Sequence, residues 1–330
     1  MFSAFTFGYH GKIMQLYPFV LAVGLFISSL SIHASPVELQ KQFVDLMVKE
    51  HQFSREEVES TLAKANKNQA ILASIAKPWE AKPWYQYYPI FLTEKRLKKG
   101  VKFWQSHQQT LARAELESGV PAEIIVAIIG VETFYGTYQG KYSVLDALVT
   151  LGFHYPSRAT FFRSELAQLF LLAKEENFDI TALKGSYAGA MGWGQFIPSS
   201  YRHYAVDFNG DGVRDLLNSP ADAIGSVANY FKMHGWKPGQ PVTVSAIIAD
   251  DVERSVANKK LKPRLTVAEL KNKGYLPSRP IEVDQVATAM LLQGDGGEEA
   301  WLGLHNFYVI SRYNHSKLYA MAVYQLSETF

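Results

Sequence analysis

The sequence predicts a mainly helical α+β protein with a small β-rich unit towards its carboxyl end. Apolar residues recur at helical spacing through much of residues 36–234, and Gly and Pro punctuate the runs. After Gly235 the pattern changes to β-branched strand-like segments, and residues 316–326 return to helical spacing. Hydrophobic residues make up 48% and charged residues 19% of the chain, which favours a packed core over disorder.

The amino-terminal part is predicted to be helical. Residues 36–52 place apolar side chains at helical spacing, and Ser54 followed by Glu57 has the pattern of a capping box that starts a second helix. Residues 77–89 form an aromatic connection interrupted by prolines. A long helix is expected from about Leu92 to Ser118.

The central part is predicted to hold a buried helix. Pro121 suits the first turn of a helix, and residues 122–133 are apolar nearly all round, so this helix belongs in the core. Further elements follow from the same patterns. Helices are expected at 142–152, 157–176, 179–184, 220–234 and 266–274, and strands at 241–249, 281–286, 289–292 and 307–310.

The amino terminus has the features of an export signal. Lys12 supplies a positive charge, residues 16–32 are mostly apolar and uncharged, and cleavage is expected near Ala34 or Ser35. An uncleaved membrane anchor is the alternative, although the stretch is short for a spanning helix. The chain has no Cys, so it can form neither a disulfide nor the lipid-modified Cys of a lipoprotein.

The charge distribution argues against nucleic-acid binding. The formal net charge is only +2, whereas nucleic-acid binders usually carry a basic stripe. The nearest candidate is the run from Lys95 to Lys99, which we interpret as the solvated face of a helix.

Glu132 is the candidate for acid/base chemistry, because it lies near the carboxyl end of the apolar helix. Burial disfavours the charged carboxylate, and the negative end of the helix dipole does the same, so both are expected to raise its pKa. A carboxylic acid that is protonated near neutral pH can donate a proton to a leaving oxygen. The alternative is a helix-end Glu that points into solvent.

The segment from Ser186 to Ser199 is a candidate binding loop. It places Gly189, Gly192 and Gly194 among large aromatic residues, and Gly permits close backbone approach to a ligand. The side chain of Gln195 supplies both a donor and an acceptor. The loop lacks the Lys-Ser/Thr end of a phosphate-binding P-loop. An ordinary tight turn is the alternative.

A third segment resembles a calcium-binding loop of the EF-hand type. The side chains of Asp207, Asn209 and Asp211 and the carbonyl of Val213 occupy the spacing of the first ligands. The twelfth position is Asn218 in place of the bidentate Glu, so the match is incomplete. A polar Asn/Asp/Gly turn is the alternative.

Together these segments resemble the lytic murein transglycosylase B family, glycoside hydrolase family 103. The resemblance implies a goose-lysozyme-like core with a helical amino-terminal part and a small β domain. It also implies cleavage of peptidoglycan between N-acetylmuramic acid and N-acetylglucosamine. The motifs that carry it are Val131–Gly136, Gly189–Phe196, Asp222–Tyr230 and Arg312–Ser316.

The resemblance also implies roles for individual residues. Glu132 matches the catalytic Glu, and Asp222 matches the ligand that completes a longer calcium loop. A structural calcium ion is therefore expected, with no organic cofactor. The residues that match the substrate cleft are Ser186, Gln195, Tyr313, Asn314, Tyr319 and, more weakly, Tyr87.

The implied domain order divides the chain into five segments. It comprises a signal peptide (1–34), a helical domain (35–118), a lysozyme-like catalytic core with the EF-hand-like loop (119–238), a small β-rich domain (239–304) and a segment that returns to the core (305–330). The expected location is the periplasm and the expected state is a monomer. The expected partners are peptidoglycan glycan strands and proteins of cell-wall synthesis.

The expected mechanism uses one carboxyl group. Most glycosidases use two, and the nearest second candidate, Asp146, is assigned a structural role. With Glu132 alone, the 2-acetamido group of the substrate assists, and attack by O6 gives a 1,6-anhydro end. The alternatives are a muramidase that uses water, a non-catalytic peptidoglycan-binding or scaffold protein, and a calcium-sensing module.

Overall fold

The computed structural model describes residues 35–76 and 82–330. Helices dominate, and a five-stranded antiparallel sheet lies late in the chain, so the predicted fold class is confirmed. The helices are α1 (Pro36–His51), α2 (Arg55–Leu62), α3 (Gln69–Ile75), α4 (Trp84–Tyr87), α5 (Glu94–Ser106), α6 (Gln108–Ser118), α7 (Ala122–Thr133), α8 (Val144–His154), α9 (Ala159–Glu175), α10 (Pro198–Tyr204), α11 (Pro220–Met233), α12 (Val267–Asn272), α13 (His305–Tyr313) and α14 (Lys317–Ser327).

The amino-terminal helices begin at the residues that the sequence indicates. Ser54 caps α2, because its Oγ accepts a hydrogen bond from the amide of Glu57 at 3.1 Å. The single long helix expected from 92 to 118 is wrong, since α5 and α6 are separate helices. His107 leaves the helical conformation (φ −124°, ψ 22°), and its ring packs on that of Phe103 at 4.6 Å. This local break is not visible in the apolar spacing.

Helix α7 is the central element of the core, as its composition predicts. Every residue of it is buried except Glu123 and Glu132, which lie near its two ends and are half-buried. The helix contacts α5, α6, α11 and α14, so apolar side chains are needed on all of its faces. Its carboxyl end is thereby held on several sides.

Three other predicted elements are wrong. Residues 179–183 form a turn and Lys184 lies in a two-residue strand. The carboxylate of Asp179 accepts hydrogen bonds from both the amide and the hydroxyl of Thr181 and so competes with helix. Residues 307–310 belong to helix α13, since a short apolar run fits either structure. Residues 281–285 lie outside any strand, and helix α10 was not predicted.

The sheet has its own small hydrophobic core. The strands are β1 (Tyr142–Ser143) and β2 (Lys184–Gly185), which pair with each other, then β3 (Thr243–Ile248), β4 (Leu265–Thr266), β5 (Tyr275–Pro277), β6 (Val286–Gly294) and β7 (Gly297–Gly303). The strand order of the five-stranded sheet is β4-β6-β7-β3-β5, and all of its pairs are antiparallel. Ten buried residues, from Val244 to Leu304, form a cluster separate from the main core.

The predicted signal peptide lies outside the described residues, as does part of the predicted connection at 77–89. Among the helices of the described segments, none combines the length and apolarity needed to span a bilayer. The domain boundaries stay a prediction, and the buried cluster of the sheet falls within the predicted segment 239–304.

Candidate active site

The end of α7 presents Glu132 at a tightly fixed turn. Phe134 and Tyr135 adopt the left-handed conformation (φ 51° and 55°), which ends the helix at Thr133. The Thr133 hydroxyl donates to the carbonyl of Trp193 at 2.9 Å and accepts from the amide of Gly136 at 2.9 Å. The residue next to Glu132 therefore ties the helix end to the glycine loop.

The carboxyl group of Glu132 is paired with a single phenol. The Tyr319 hydroxyl donates to Oε1 of Glu132 at 2.6 Å. Burial raises the pKa of Glu132 from 4.5 to about 7, and this hydrogen bond acts in the opposite direction. Both protonation states are therefore accessible near neutral pH, and the alternative of a solvent-pointing Glu is wrong.

Two tyrosines lie parallel beside this carboxyl. The rings of Tyr313 and Tyr319 are 6.5 Å apart with an interplanar angle of 10°. Burial and the neighbouring Glu132 raise the pKa of both phenols, so both stay protonated. The Tyr313 hydroxyl donates to the carbonyl of Gly194 at 2.6 Å, which connects the pair to the glycine loop.

A short turn between α13 and α14 produces this parallel arrangement. Tyr313 is the last residue of α13, Asn314 follows in extended conformation, and Ser316 caps α14 through the amide of Tyr319 at 3.3 Å. Tyr87, at the end of α4, is buried and lies within electrostatic range of Tyr319. The structure thus gathers Glu132 with three of the predicted cleft residues, and Asn314 lies in the connecting turn.

The glycine loop is held mainly by its own hydrogen bonds. Oγ of Ser186 accepts from the amides of Ala188 and Ala190, at 3.2 and 3.1 Å. Gln195 has a left-handed backbone (φ 51°), and its Nε2 donates to the carbonyls of Gln139 and Gly192, both at 3.0 Å. These side chains therefore shape the loop, and the Oε1 acceptor of Gln195 remains for other partners.

Gly192 is required by close packing within the protein. Its φ is 71°, and a Cβ atom there would lie 2.3 Å from the carbonyl oxygen of Leu216. Sequence reasoning attributed these glycines to close approach of a ligand. At this position the structure shows close approach of a neighbouring loop instead.

Arg96 is a residue of the site that sequence reasoning missed. Its Nε donates to the carbonyl of Gly130 at 3.1 Å and its Nη1 to that of Ile90 at 2.5 Å. Its guanidinium also lies 5.1 Å from the ring centre of Phe134. The interpretation of this residue as part of a solvated face is wrong, because its half-buried side chain anchors the last turns of α7.

Asp146 has the structural role that the sequence indicates. Its Oδ1 accepts a hydrogen bond from the amide of Asn66 at 2.8 Å, which ties α8 to the segment before α3. Its own amide is capped by Ser143. The pKa of Glu132 is set by burial and by Tyr319, with no second carboxylate contributing among the described residues.

The calcium-loop segment curls around its own side chains. Asp207 accepts hydrogen bonds from the amides of Gly210, Asp211 and Gly212. Asn209 donates to Oδ2 of Asp211 at 2.8 Å, and Val213 donates its amide to Oδ1 of Asp211. This arrangement brings together side-chain oxygens, which are the ligands that calcium prefers.

Asp222 lies in the first turn of α11, next to the calcium-loop segment, and its role as a calcium ligand stays a prediction. It is fully buried, and its carboxylate accepts from the amides of Phe208 (2.8 Å), Asn209 (3.1 Å) and Asp215 (3.0 Å). Both of its oxygens thus hold the two ends of the loop together. Within residues 35–76 and 82–330, no group of three or more Asp, Glu, His or Cys is arranged to hold a metal ion. The side-chain oxygens of residues 207–213 are of the type that calcium binds, and Asp222 holds the two ends of the loop together through hydrogen bonds.

A family model described as a transglycosylase SLT domain matches residues 37–328. The membrane-bound lytic murein transglycosylase B of Escherichia coli K12 is 45% identical over 298 residues, which are 87% of this chain and 81% of that protein. The match therefore spans the candidate site, the sheet and most of the amino-terminal helices.

Solved structures are similar over the same region. The soluble lytic transglycosylase SltB1 of Pseudomonas aeruginosa has a TM-score of 0.84 and 51% identity, covering 88% of this chain and 97% of its own. Escherichia coli Slt35 in complex with calcium scores 0.82 at 44% identity, covering 88% and 92%. SltB3 of Pseudomonas aeruginosa in complex with NAG-anhNAM-pentapeptide scores 0.79 at 30% identity, covering 90% and 80%. The predicted lysozyme-like fold is confirmed by these matches.

Proposed function

The chain belongs to the transglycosylase SLT domain family and is a lytic murein transglycosylase, and we propose that Glu132 is its single catalytic acid/base. The observation that carries this proposal is the buried Glu132 carboxyl, with a pKa of about 7 and a hydrogen bond from Tyr319. The substrate is the glycan strand of murein, with its attached peptides, since the relative SltB3 is bound to a NAG-anhNAM-pentapeptide.

The first step is proton donation by Glu132. The protonated carboxyl donates its proton to the glycosidic oxygen as the bond from C1 of the muramoyl residue breaks. The 2-acetamido group of the same sugar stabilises the oxocarbenium-like centre, as in substrate-assisted glycosidases. Glu132 becomes a carboxylate in this step, and the Tyr319 hydroxyl stabilises that charge through its 2.6 Å hydrogen bond.

The second step returns the proton to Glu132. The carboxylate takes the proton of the muramoyl O6 hydroxyl, O6 attacks C1, and a 1,6-anhydro ring forms. No water is consumed, and the enzyme ends in the protonation state in which it began. The cleft must hold O6 near C1 and exclude water, since water in the same position would give hydrolysis.

Tyr313, Tyr319 and Tyr87 are proposed to line the cleft beside Glu132, together with Ser186, Gln195 and Asn314. The parallel tyrosine rings offer flat, amphipathic surfaces for sugar rings. Gln195 keeps an amide oxygen for a substrate donor, because its amide nitrogen is engaged by the carbonyls of Gln139 and Gly192. Tyr313 fixes the glycine loop against the tyrosine pair through Gly194.

The decisive experiment is digestion of purified sacculi, with the released muropeptides identified by mass. Transglycosylation gives products that are one water lighter than the reducing ends of a muramidase. The Glu132→Gln variant keeps the shape of the side chain but cannot cycle a proton, so it should release no products while its circular dichroism stays native. Asp146→Asn is the matched control. Reducing ends from the wild type would establish the hydrolytic alternative, and cleavage by Glu132→Gln at more than a few per cent of the wild-type rate would assign the proton to another group.

We also propose a structural calcium ion at residues 207–213. The support is the set of oxygen donors from Asp207, Asn209, Asp211 and the carbonyl of Val213, together with the calcium complex of Slt35. Asp222 contributes by holding the loop in shape. The ion would supply stability, because these residues contribute nothing to the proton transfers.

The enzyme is proposed to act in the periplasm as an exported monomer. The support is its substrate class and the expected signal within residues 1–34, and a relative is membrane-bound. Cell fractionation tests the location, and sedimentation of the purified protein tests the monomer. Partners among the proteins of cell-wall synthesis stay a prediction.

A further inference from the structure

A cavity of about 730 Å³ lies at the opposite end of the helices that carry the candidate catalytic pair. Helix α7 places Glu132 at one end and Glu123 at the other, and α14 likewise places Tyr319 and Glu328 at opposite ends. Nine residues of helix separate the members of each pair, which is roughly 13 Å at 1.5 Å per residue. The cavity is therefore distinct from the cleft around Glu132.

The walls of this cavity carry charges of both signs. Glu123 enters from α7, Glu328 from the end of α14, and Arg279 from the segment that follows β5. The guanidinium of Arg279 donates a hydrogen bond to the carbonyl of Thr243 at 3.3 Å. Among the described residues, Glu123, Arg279 and Glu328 form no ion pair. Burial and the neighbouring Glu328 raise the pKa of the Tyr324 phenol, and Arg279 acts on it in the opposite direction, so both charged groups lie near this ring.

Aromatic rings complete the walls. The ring centres of Trp301 and Tyr324 are 6.4 Å apart at an angle of 74°, and Trp236 lies on the same cavity. The indole nitrogen of Trp301 is engaged by Glu299 at 3.3 Å, which fixes that ring. Flat apolar surfaces between separated charges suit a ligand with an aliphatic middle and charged groups of both signs.

We propose that this cavity binds a short peptide that carries both a free amine and a free carboxylate, as a murein peptide stem does. The ammonium group pairs with the half-buried Glu123, and the carboxylate pairs with the guanidinium of Arg279. A neutral glycan offers no charged group to either sign, whereas a peptide with an amine and a carboxylate can form charge-assisted hydrogen bonds with both, so the charges favour a peptide over sugar alone. The proposal rests on the proposed function for its choice of ligand, and it gives the enzyme a contact with peptide stems away from the bond that is cut.

Calorimetric titration of the full chain with the tetrapeptide Ala-Gln-Lys-Ala tests the proposal. This peptide has free amines and a free carboxylate and contains no glycosidic bond, so its binding is independent of catalysis. The same peptide with acetylated amines and an amidated carboxyl end is the control. We expect the capped peptide to bind at least tenfold more weakly, and a neutral oligomer of N-acetylglucosamine to leave the peptide titration unchanged.

Variants then assign the binding to the cavity. Arg279→Gln and Glu123→Gln should each weaken the free peptide about tenfold, while Arg279→Lys, which keeps the charge, retains most of the affinity. Thermal melting confirms that each variant is folded. Glu132→Gln should bind the peptide with the same affinity as the wild type. Failure of the proposed catalytic role of Glu132 would show in the cleavage assay, whereas failure of the peptide site would show in the titration. Absence of binding at millimolar peptide, equal binding of the capped peptide, or unchanged affinity in Arg279→Gln would overturn the proposal.

Discussion

Replacing Tyr319 by Phe should move the alkaline limb of the pH–rate profile to higher pH. The phenol donates a 2.6 Å hydrogen bond to Glu132, and a donor to a carboxylate favours its ionised form and lowers its pKa. Without this donor only the effect of burial remains, so the pKa of Glu132 rises above about 7. The acid form then persists to higher pH.

The size of the shift follows from the strength of such a bond. A hydrogen bond to a charged group contributes about 1.5–3 kcal/mol, and one pKa unit corresponds to about 1.4 kcal/mol. The limb of the Tyr319→Phe variant should therefore move by roughly one to two units. The same loss of stabilisation for the carboxylate formed in the first step should lower kcat by about tenfold or more.

The assay measures kcat for a soluble muropeptide chain between about pH 5 and 9.5. Tyr313→Phe is the matched control, because its hydroxyl donates to the carbonyl of Gly194 and makes no hydrogen bond to Glu132. The alkaline limb of the Tyr313→Phe profile should lie at the same pH as that of the wild type, even if kcat itself changes. A Tyr319→Phe profile that keeps the wild-type limb, or moves it to lower pH, would refute the reasoning.

Three other outcomes are expected. The pKa of Glu132 is raised from 4.5 to about 7 in the folded protein, so ionisation of this group lowers the stability of the wild type as pH rises through this window. The unfolding free energy of Glu132→Gln, measured by urea titration, should therefore exceed that of the wild type by about 3 kcal/mol at pH 8 and equal it near pH 4. Millimolar calcium should raise the melting temperature of the wild type by a few degrees and leave that of Asp207→Ala unchanged. If calcium does not change the melting temperature of the wild type, residues 207–213 form a polar turn and no calcium site. Arg96→Met should lower the unfolding free energy by about 2 kcal/mol or more, because the carbonyls of Gly130 and Ile90 lose their hydrogen-bond donor. A melting temperature equal to that of the wild type would contradict the anchoring role of Arg96.

The elements that sequence could predict are those with local causes. Helix α7 was predicted at its observed residues, because apolar side chains on every face and Pro121 before it leave no other arrangement. The cap at Ser54 is equally local. The break at His107 and the helix at 305–313 were missed, since a short apolar run fits more than one conformation and packing decides between them.

Long-range contacts explain the remaining misses at the site. Arg96 sits in a run of basic residues and looks like surface, yet it bonds to a carbonyl 34 positions away. Asp222, which the resemblance implies as a calcium ligand, accepts hydrogen bonds from the amides of Phe208, Asn209 and Asp215, up to 14 positions away, and its role toward calcium stays a prediction. Neither arrangement leaves a signal in residue spacing.

A single carboxyl that acts first as an acid and then as a base needs two opposing influences. Burial at the end of an apolar helix raises the pKa of Glu132 and so favours the proton-donating form; the sequence of α7 indicated this burial but left a solvent-pointing side chain open. Burial by itself would make the resulting carboxylate too costly. The phenol of Tyr319 offsets that cost, and it comes from 187 positions further along the chain. The pKa of about 7 is the balance of the two, which suits the proposed mechanism, in which Glu132 loses and regains a proton in every turnover.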